Sequence, residues 1–430
     1  PEWVDELYLK AGKRPSDYYT YKKLEVLTHY FYEDGTTFRS YAKPELFAEE
    51  LTRQGIDASK LQAYLKKVAF IYDATAPIFL KSSLHRWRSY LNLGVLGSIF
   101  KLPWIKGLQS MDHMNKAYFT DPRLQQYFNR MATYNGSDPY KAPGTLNLIG
   151  HVEHGIGAYY PSGGMYAITQ GLYQLALDLG VEFHFGTYVE EIIVAQQGSR
   201  NKALGLKAAG HIHKFDRIVS NMDIFYTYRK LLPHVQAPEK LLSQEKSSSA
   251  LIFYWGVKGQ FAQLGLHNIF FTEDYRAEFA AIFESRKIHD DPTIYINITC
   301  KETPSDAPEG CENWFVMINV PHDSGQDWSQ LKKDARAHIM AKLNRMLKTD
   351  LASLIVVEDT LEPITIEQRT SSYKGALYGN ASNNKMAAFL RHANFSSKID
   401  QLYFCGGSVH PGGGIPLAIQ SGKIVADLIS

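Results

Sequence analysis

The chain has 430 residues, 45% hydrophobic and 21% charged, enough to bury two domains or one large composite core. Its formal charge of +2 gives no general case for nucleic-acid binding, and an aromatic share of 13% suits cores, interfaces or an apolar ligand tunnel. Three cysteines (Cys300, Cys311, Cys405) with no CxxC exclude a disulfide framework and a cysteine zinc site, and a reducing, cytoplasmic setting fits them. No signal peptide opens the chain, and no run of ~18 apolar residues marks a membrane-spanning helix.

Trp3 to Ala11 has helical spacing, with Gly12 as cap, and Leu24 to Tyr41 predicts a hairpin turning at Asp34-Gly35. Two amphipathic helices follow, Glu45–Gln54 and Ser59–Tyr72. Leu91–Ile105 is apolar but too short to span a bilayer, and Arg86, Trp87, Arg88, Trp104 and Lys106 flank it. That pattern reads as a monotopic element lying in a membrane interface, or as a buried helical hairpin with snorkelling ends. Asp121-Pro122 to Met131 predicts another helix, and Asn135–Gly144 a loop.

Pro161-Ser162-Gly163-Gly164 precedes a helix with Met165, Ile168, Leu172, Leu175 and Leu179 on its apolar face. A Gly-Gly before a helix is by itself also an ordinary turn. Val181–Phe185 and Val189–Val194 are expected strands, as is Phe215–Ser220, which runs into Asn221-Met222-Asp223. From Tyr226 to about Glu367 longer alternating strands prevail, Ala250–Lys258, Asn268–Phe271, Thr293–Cys300, Asn313–Val320 and Ser353–Thr360. With helices at Tyr275–Arg286 and Gln330–Leu347, they predict a mixed or antiparallel sheet roofed on one side.

The most informative stretch is Leu402 to Ile429. A short apolar strand, Leu402-Tyr403-Phe404-Cys405, enters a turn holding Gly406, Gly407, Gly412, Gly413 and Gly414. Ile415-Pro416 then opens an apolar helix. Strand, glycine turn and helix N-terminus bring bare N–H groups against an electron-rich ligand group. Proline is harmless in the first helical turn, where its missing N–H would have no partner.

Other chemistries fare poorly. His151 with His154, and His211 with His213, lack a third ligand in pattern, so no metal is expected. No G-x-S-x-G elbow is present, and Ser421-Gly422-Lys423-Ile424 is not a P-loop. No G-x-G-x-x-G exists either: Gly155-Ile156-Gly157 is followed by Tyr160, and Gly412-Gly413-Gly414 by Leu417.

The run GGSVHPGGGIP, with the YPSGGM segment and the IVSNMD element in that order, resembles the bacterial-type phytoene desaturases and their carotenoid-desaturase relatives in the flavin amine-oxidase superfamily. The resemblance covers Trp3 to Ile429. It implies an α/β fold: a Rossmann-like FAD-binding domain interleaved with a mixed or antiparallel substrate domain and a helical membrane-associated subdomain. It assigns 1–23, 145–225 and 398–430 to the FAD-binding half, and 24–144 and 226–397 to the substrate half. It also implies a dinucleotide unit ahead of Pro1, roughly 60 or 70 residues against about 30 for a single βαβ unit. Gly163, Gly164 and Met165, the main chain of Val189, Asn221, Asp223, Gly406, Gly407, Ser408, Gly414, Ile415 and Pro416 would hold the FAD. The Gly375-Ala376-Leu377-Tyr378-Gly379 loop would lie near the flavin, and His410 is more a structural residue than a base.

The activity implied is desaturation of a membrane-derived carotene at the inner face of the cell membrane, with electrons passed to quinone or oxygen. A hydroxycarotenoid 3,4-desaturase is the favoured member, beside carotenoid isomerases and retinol saturases. A hydrocarbon offers no charge to grip, so an apolar tunnel must aim its C–H bond and no conspicuous catalytic dyad is needed. The rivals are a non-catalytic polyene- or lipid-binding protein and a flavin amine oxidase.

Overall fold

The computed structural model describes residues 1–86, 89–90, 97–98, 101–105, 107 and 109–430. Its largest element is a seven-stranded sheet. The strand order is Ile355–Leu361, Ser249–Lys258, Cys311–Val320, Ile294–Asn297, His267–Phe270, Val26–Phe31 and Thr37–Tyr41. Neighbours are antiparallel except His267–Phe270 with Val26–Phe31, whose parallel pairing joins the predicted N-terminal hairpin to strands far along the chain. Gly35 makes the hairpin turn at φ +83°.

Alternation decides which face of this sheet is roofed. Along Cys311–Val320 the side chains of Glu312, Trp314, Val316, Ile318 and Val320 are buried. They pack with Phe253 and Trp255 against Ala335, Ile339 and Leu343 of the Trp328–Leu347 helix. Each fully buried Val, Leu, Ile or Phe contributes about 1.5–3 kcal/mol, so this face holds much of the fold's stability. On the other face Phe315, Met317, Tyr295 and His267 stay partly accessible.

A helical layer, Pro44–Arg53, Leu61–Phe79, Met111–Tyr118 and Pro122–Asn129, buries its own aromatic core of Phe47, Tyr64, Phe119, Tyr127 and Phe128. Ser110 and Asp121 cap the last two helices, accepting from His113 N (3.2 Å) and Arg123 N (2.8 Å). Leu61–Phe79 outruns the expected Tyr72 and carries Pro77 near its end, where few backbone bonds remain to be lost. Most of Leu91–Ile105, with Trp87, Arg88 and Lys106, lies outside the described residues; of the rest, Trp104 is 64% exposed and Ile105 is buried. Among the described residues no helix is long and apolar enough to cross a membrane.

The remaining strands build smaller sheets. Val189–Gln197, Arg200–Ala208 and His211–Lys214 are antiparallel, with Ile399–Asp400 parallel to the middle strand. Ile218–Ser220 and Leu402–Phe404 form a parallel pair. The expected strand Val181–Phe185 does not form: these residues lie beside no strand, and Val181, Phe185 and Tyr188 are exposed. An apolar run becomes a strand only when a partner receives its N–H and C=O groups. Phe215–Ser220 shortens to Ile218–Ser220, the span that Leu402–Phe404 pairs. The helices Glu2–Lys10, Tyr166–Asp178 and Ile415–Ile429 meet through Val4, Tyr8, Leu175 and Ile419, and Lys423 is ion-paired with Glu6.

Candidate functional site

The parallel pair Ile218–Ser220 and Leu402–Phe404 delivers two loops to the same place. Cys405 N donates to Ser220 O (3.0 Å), and a Cβ on Gly406 would sit 3.4 Å from Asn221 O. Ser408 Oγ accepts from Ile224 N (2.9 Å). Asp223 caps the same turn, with Oδ1 accepting from Phe225 N (2.9 Å) and Oδ2 from Tyr373 N (3.4 Å). Asn221, Asp223, Gly406, Gly407 and Ser408 thus share one loop cluster, although 180 residues separate its halves.

The rest of the glycine loop folds back on itself. Gly407 faces Gly413, whose absent side chain leaves room for Tyr378, and Gly412 faces the Arg391 guanidinium. The Ile415–Ile429 helix begins beyond Gly414, with Pro416 in its first turn. Ser421 Oγ accepts from Gly406 N (3.1 Å) and donates to His410 O (2.9 Å), tying the helix to the loop. Gly414, at φ +99°, has open space where a Cβ would project, and Ile415 is 46% exposed. A bare helix N-terminus in an open, glycine-walled recess fits a flat, electron-rich ligand.

Gly163 and Gly164 form a turn, both at φ +79°, ahead of the Tyr166–Asp178 helix, and Met165 beside them is 53% exposed. Val189 opens its strand opposite Ala208. No hydrogen bond among the described residues joins Gly163–Met165 or Val189 to the Gly406–Pro416 loop. Val189 packs on the cluster of Leu402, Phe404 and Val409, and the helix that follows Met165 meets the Ile415–Ile429 helix around Tyr8 and Ile419.

Basic groups dominate around the loop. Arg391 is 3% exposed and donates to Tyr378 O (3.2 Å), Asn380 O (3.1 Å) and Asn135 Oδ1 (3.3 Å). Among the described residues it has no carboxylate partner, and burial lowers its pKa to about 10. Lys246 Nζ, also buried, donates to Leu242 O (2.9 Å) and Asn380 Oδ1 (2.7 Å), and burial lowers it to about 8. Burial raises the Asp223 carboxyl. Burial also holds His392 and His410 down to about 4. His410 Nε2 lies 2.8 Å from Ser82 O and so carries the proton, leaving Nδ1 buried without a partner among the described residues. Two buried cations against one acid favour negative charge developing nearby. Arg391 and Lys246 went unnoticed in the sequence, where a buried cation looks like a surface one, and Ser421 figured there only in the rejected P-loop.

Tyr134 is 46% exposed, and Tyr295, His267 and Tyr378 are partly accessible, as are Phe315 and Met317 on the unroofed sheet face. Among the described residues no group of His, Cys, Asp and Glu is arranged to hold a metal.

The flavin-containing amine oxidoreductase family model matches residues 24–430. A 1-hydroxycarotenoid 3,4-desaturase from Flavobacterium sp. (strain P99-3) is 49% identical over 430 residues, all of this chain and 87% of the relative. A 4,4'-diapolycopene oxygenase from Methylomonas sp. is 33% identical over all of this chain and 86% of its own length. Among solved structures, a redesigned putrescine oxidase superposes with a TM-score of 0.55 at 13% identity, over 100% of this chain and 86% of that one. An oxidoreductase from Methanosarcina mazei does so at 0.58 and 12% identity, over 95% and 82%. The chain belongs to the flavin-containing amine oxidoreductases, in their carotenoid-desaturase branch, and is an oxidoreductase whose cofactor is FAD.

Proposed function

We propose that this enzyme converts a CH–CH bond of an acyclic carotenoid, hydroxylated at one end, into a C=C bond, as a 3,4-desaturase. The relative that is 49% identical over the whole chain carries this reading. The partly accessible aromatic pair Tyr295 and Phe315 on the unroofed sheet face supports it. Gly406, Gly407, Ser408, Gly414, Ile415 and Pro416, with Asn221 and Asp223, would hold the FAD on the loop side. Gly163, Gly164, Met165 and the Val189 main chain would hold its far end. Bound there, FAD supplies the two-electron acceptor for hydride removal. The second hydrogen leaves as a proton, and quinone or oxygen takes the electrons. An apolar path along that face would keep water out and aim one C–H bond, which is the work a substrate without charges demands.

On this reading the protein is peripheral, collecting its substrate at the inner face of the cell membrane. The exposed Trp104 borders a cleft of about 620 Å³ that also takes in Lys66, Lys67, Lys101 and Phe70. Lysines around an aromatic rim suit an anionic lipid surface. The domain halves follow the partition 1–23, 145–225 and 398–430 for cofactor, and 24–144 and 226–397 for substrate.

The test is to incubate the FAD-loaded protein with a hydroxylated acyclic carotenoid in liposomes. The expected product has lost two hydrogens and absorbs at longer wavelength. Carotenoid that binds but comes back unchanged, with flavin bound and acceptor supplied, would make this a polyene-binding protein instead.

A further inference from the structure

Between the unroofed sheet face and the helical layer lies a polar centre that the aromatic surroundings do not explain. Arg130, at the start of the Arg130–Asn135 turn, is 7% exposed. Its Nη2 donates to Tyr30 OH at 2.8 Å and reaches Glu153 Oε2 at 3.4 Å and Tyr134 OH at 3.5 Å. Glu153 in turn accepts from Tyr134 OH at 3.4 Å and from Tyr127 OH at 3.3 Å. Most of these bonds are long, and Arg130 Nε is buried with no partner among the described residues. Burying an ion pair costs about as much as it returns, and apolar residues of similar size serve stability as well or better. A loosely bonded pair with a spare donor among aromatic side chains therefore points to a ligand.

His267 and Tyr295 stand on the sheet side of the same space. Asn297 Nδ2 donates to His267 Nδ1 (3.2 Å), beside Tyr295 OH (2.8 Å). The proton of His267 is thereby placed on Nε2, which has no partner among the described residues. Ile269 pairs with Tyr30 across the parallel strands, so His267, two residues before it, shares the sheet face that presents Tyr30 to Arg130.

We propose that Arg130, Glu153, Tyr134 and His267 form a hydroxyl-recognition site for the oxygenated end of the polyene. The Arg130–Glu153 pair carries no net charge, and the phenols and the imidazole are neutral. Glu153 repels an anionic end group and Arg130 a cationic one. An alcohol fits, because it donates to Glu153 while accepting from Arg130 Nε, Tyr134 or His267. The position is also apt. The turn that begins at Arg130 ends at Gly136, which packs on Tyr378, and Tyr378 packs on Gly413 of the glycine loop. An end group held at Arg130 therefore offers that loop a bond near the oxygenated end rather than the middle of the chain.

This inference rests on the carotenoid-desaturase reading, and two readouts separate their failures. The FAD-loaded protein would be given an acyclic carotene and its terminal alcohol, following co-eluting polyene absorbance for binding and product for turnover. Wild type is expected to favour the alcohol, and Tyr134→Phe and His267→Phe to lower that preference roughly ten- to a hundredfold, mostly through KM. Glu153→Gln leaves Arg130 unbalanced and is expected to admit a carboxylate-ended polyene that wild type excludes. A purely structural pair would not change selectivity in that way. Alcohol-selective binding without turnover would overturn the desaturase reading and keep the site. Equal binding of carotene and alcohol by wild type, or unchanged selectivity in all three variants, would overturn the site.

Discussion

Tyr378 occupies the space that a side chain at position 413 would fill: a Cβ on Gly413 would lie 2.7 Å from Tyr378 Cδ1 and 2.9 Å from its Cα. The glycine there lets one loop lie flat on another, locking the Gly375–Gly379 segment under the Gly406–Gly414 turn. Gly379 does the same from the other side, where a Cβ would meet Ser408 Cα at 2.9 Å.

Gly413→Ala should therefore push the two loops apart. Overpacking of this kind costs about 1–3 kcal/mol, and the displaced loop should hold less flavin. Visible flavin absorbance per protein, with a melting curve, measures both. Gly414→Ala meets no neighbour and has only backbone strain to absorb. If Gly413→Ala retains full flavin and the wild-type melting temperature, the packing carries no weight.

A second prediction concerns Lys342, 2% exposed on the helix that roofs the sheet. Its Nζ lies 2.7 Å from Asp291 Oδ1 and 3.6 Å from Glu33 Oε1, and donates to Pro292 O at 3.0 Å. Lys342→Met removes the counter-charge of half-buried Asp291, while Glu33 keeps Arg345, and should destabilise the protein by about 1–3 kcal/mol in urea unfolding. Lys342→Arg should recover part of that loss.

Stability should fall on mild acidification. His267, His322, His392 and His410 each have a folded pKa of about 4, below the ordinary 6.5, because burial penalises the imidazolium. Below pH 6.5 the unfolded chain binds protons that the fold refuses. Stability is thus fully present above about pH 6.5 and is lost toward pH 4, by up to about 1.4 kcal/mol per pH unit for each histidine. The raised carboxyls of Asp138, Asp223 and Glu278 act with opposite sign from their ordinary range upward. Melting temperatures at several pH values between 5 and 7.5 should decline toward the acid end, and His392→Gln should flatten the slope. A level profile would contradict the histidine assignment.

Vesicle binding offers the remaining check. Trp104→Ser with Lys101→Glu should weaken sedimentation with anionic liposomes, by about tenfold from the charge reversal alone, and much less with neutral ones. Equal binding by wild type and variant would move the membrane contact elsewhere.

Local chemistry made several elements legible. Asp34-Gly35 announced a hairpin, Pro122 and Pro416 marked helix starts, and the glycines after Leu402–Phe404 marked the turn before the last helix. Each signal lies within a few residues, where backbone conformation and hydrophobic period are decided by sequence neighbours. Val181–Phe185 had the same local signal and failed, since strand formation depends on a partner that local sequence does not name.

Tertiary structure alone decided the rest. It set Val26–Phe31 beside His267–Phe270, and Ile218–Ser220 beside Leu402–Phe404. It also turned Arg391 and Arg130 inward, away from carboxylates in one case and against Glu153 in the other. The sequence by itself determined most elements and the glycine-turn motif, because those follow from short-range sterics and periodicity. Which charges lose their water was decided by tertiary contacts, because desolvation depends on everything packed around a group.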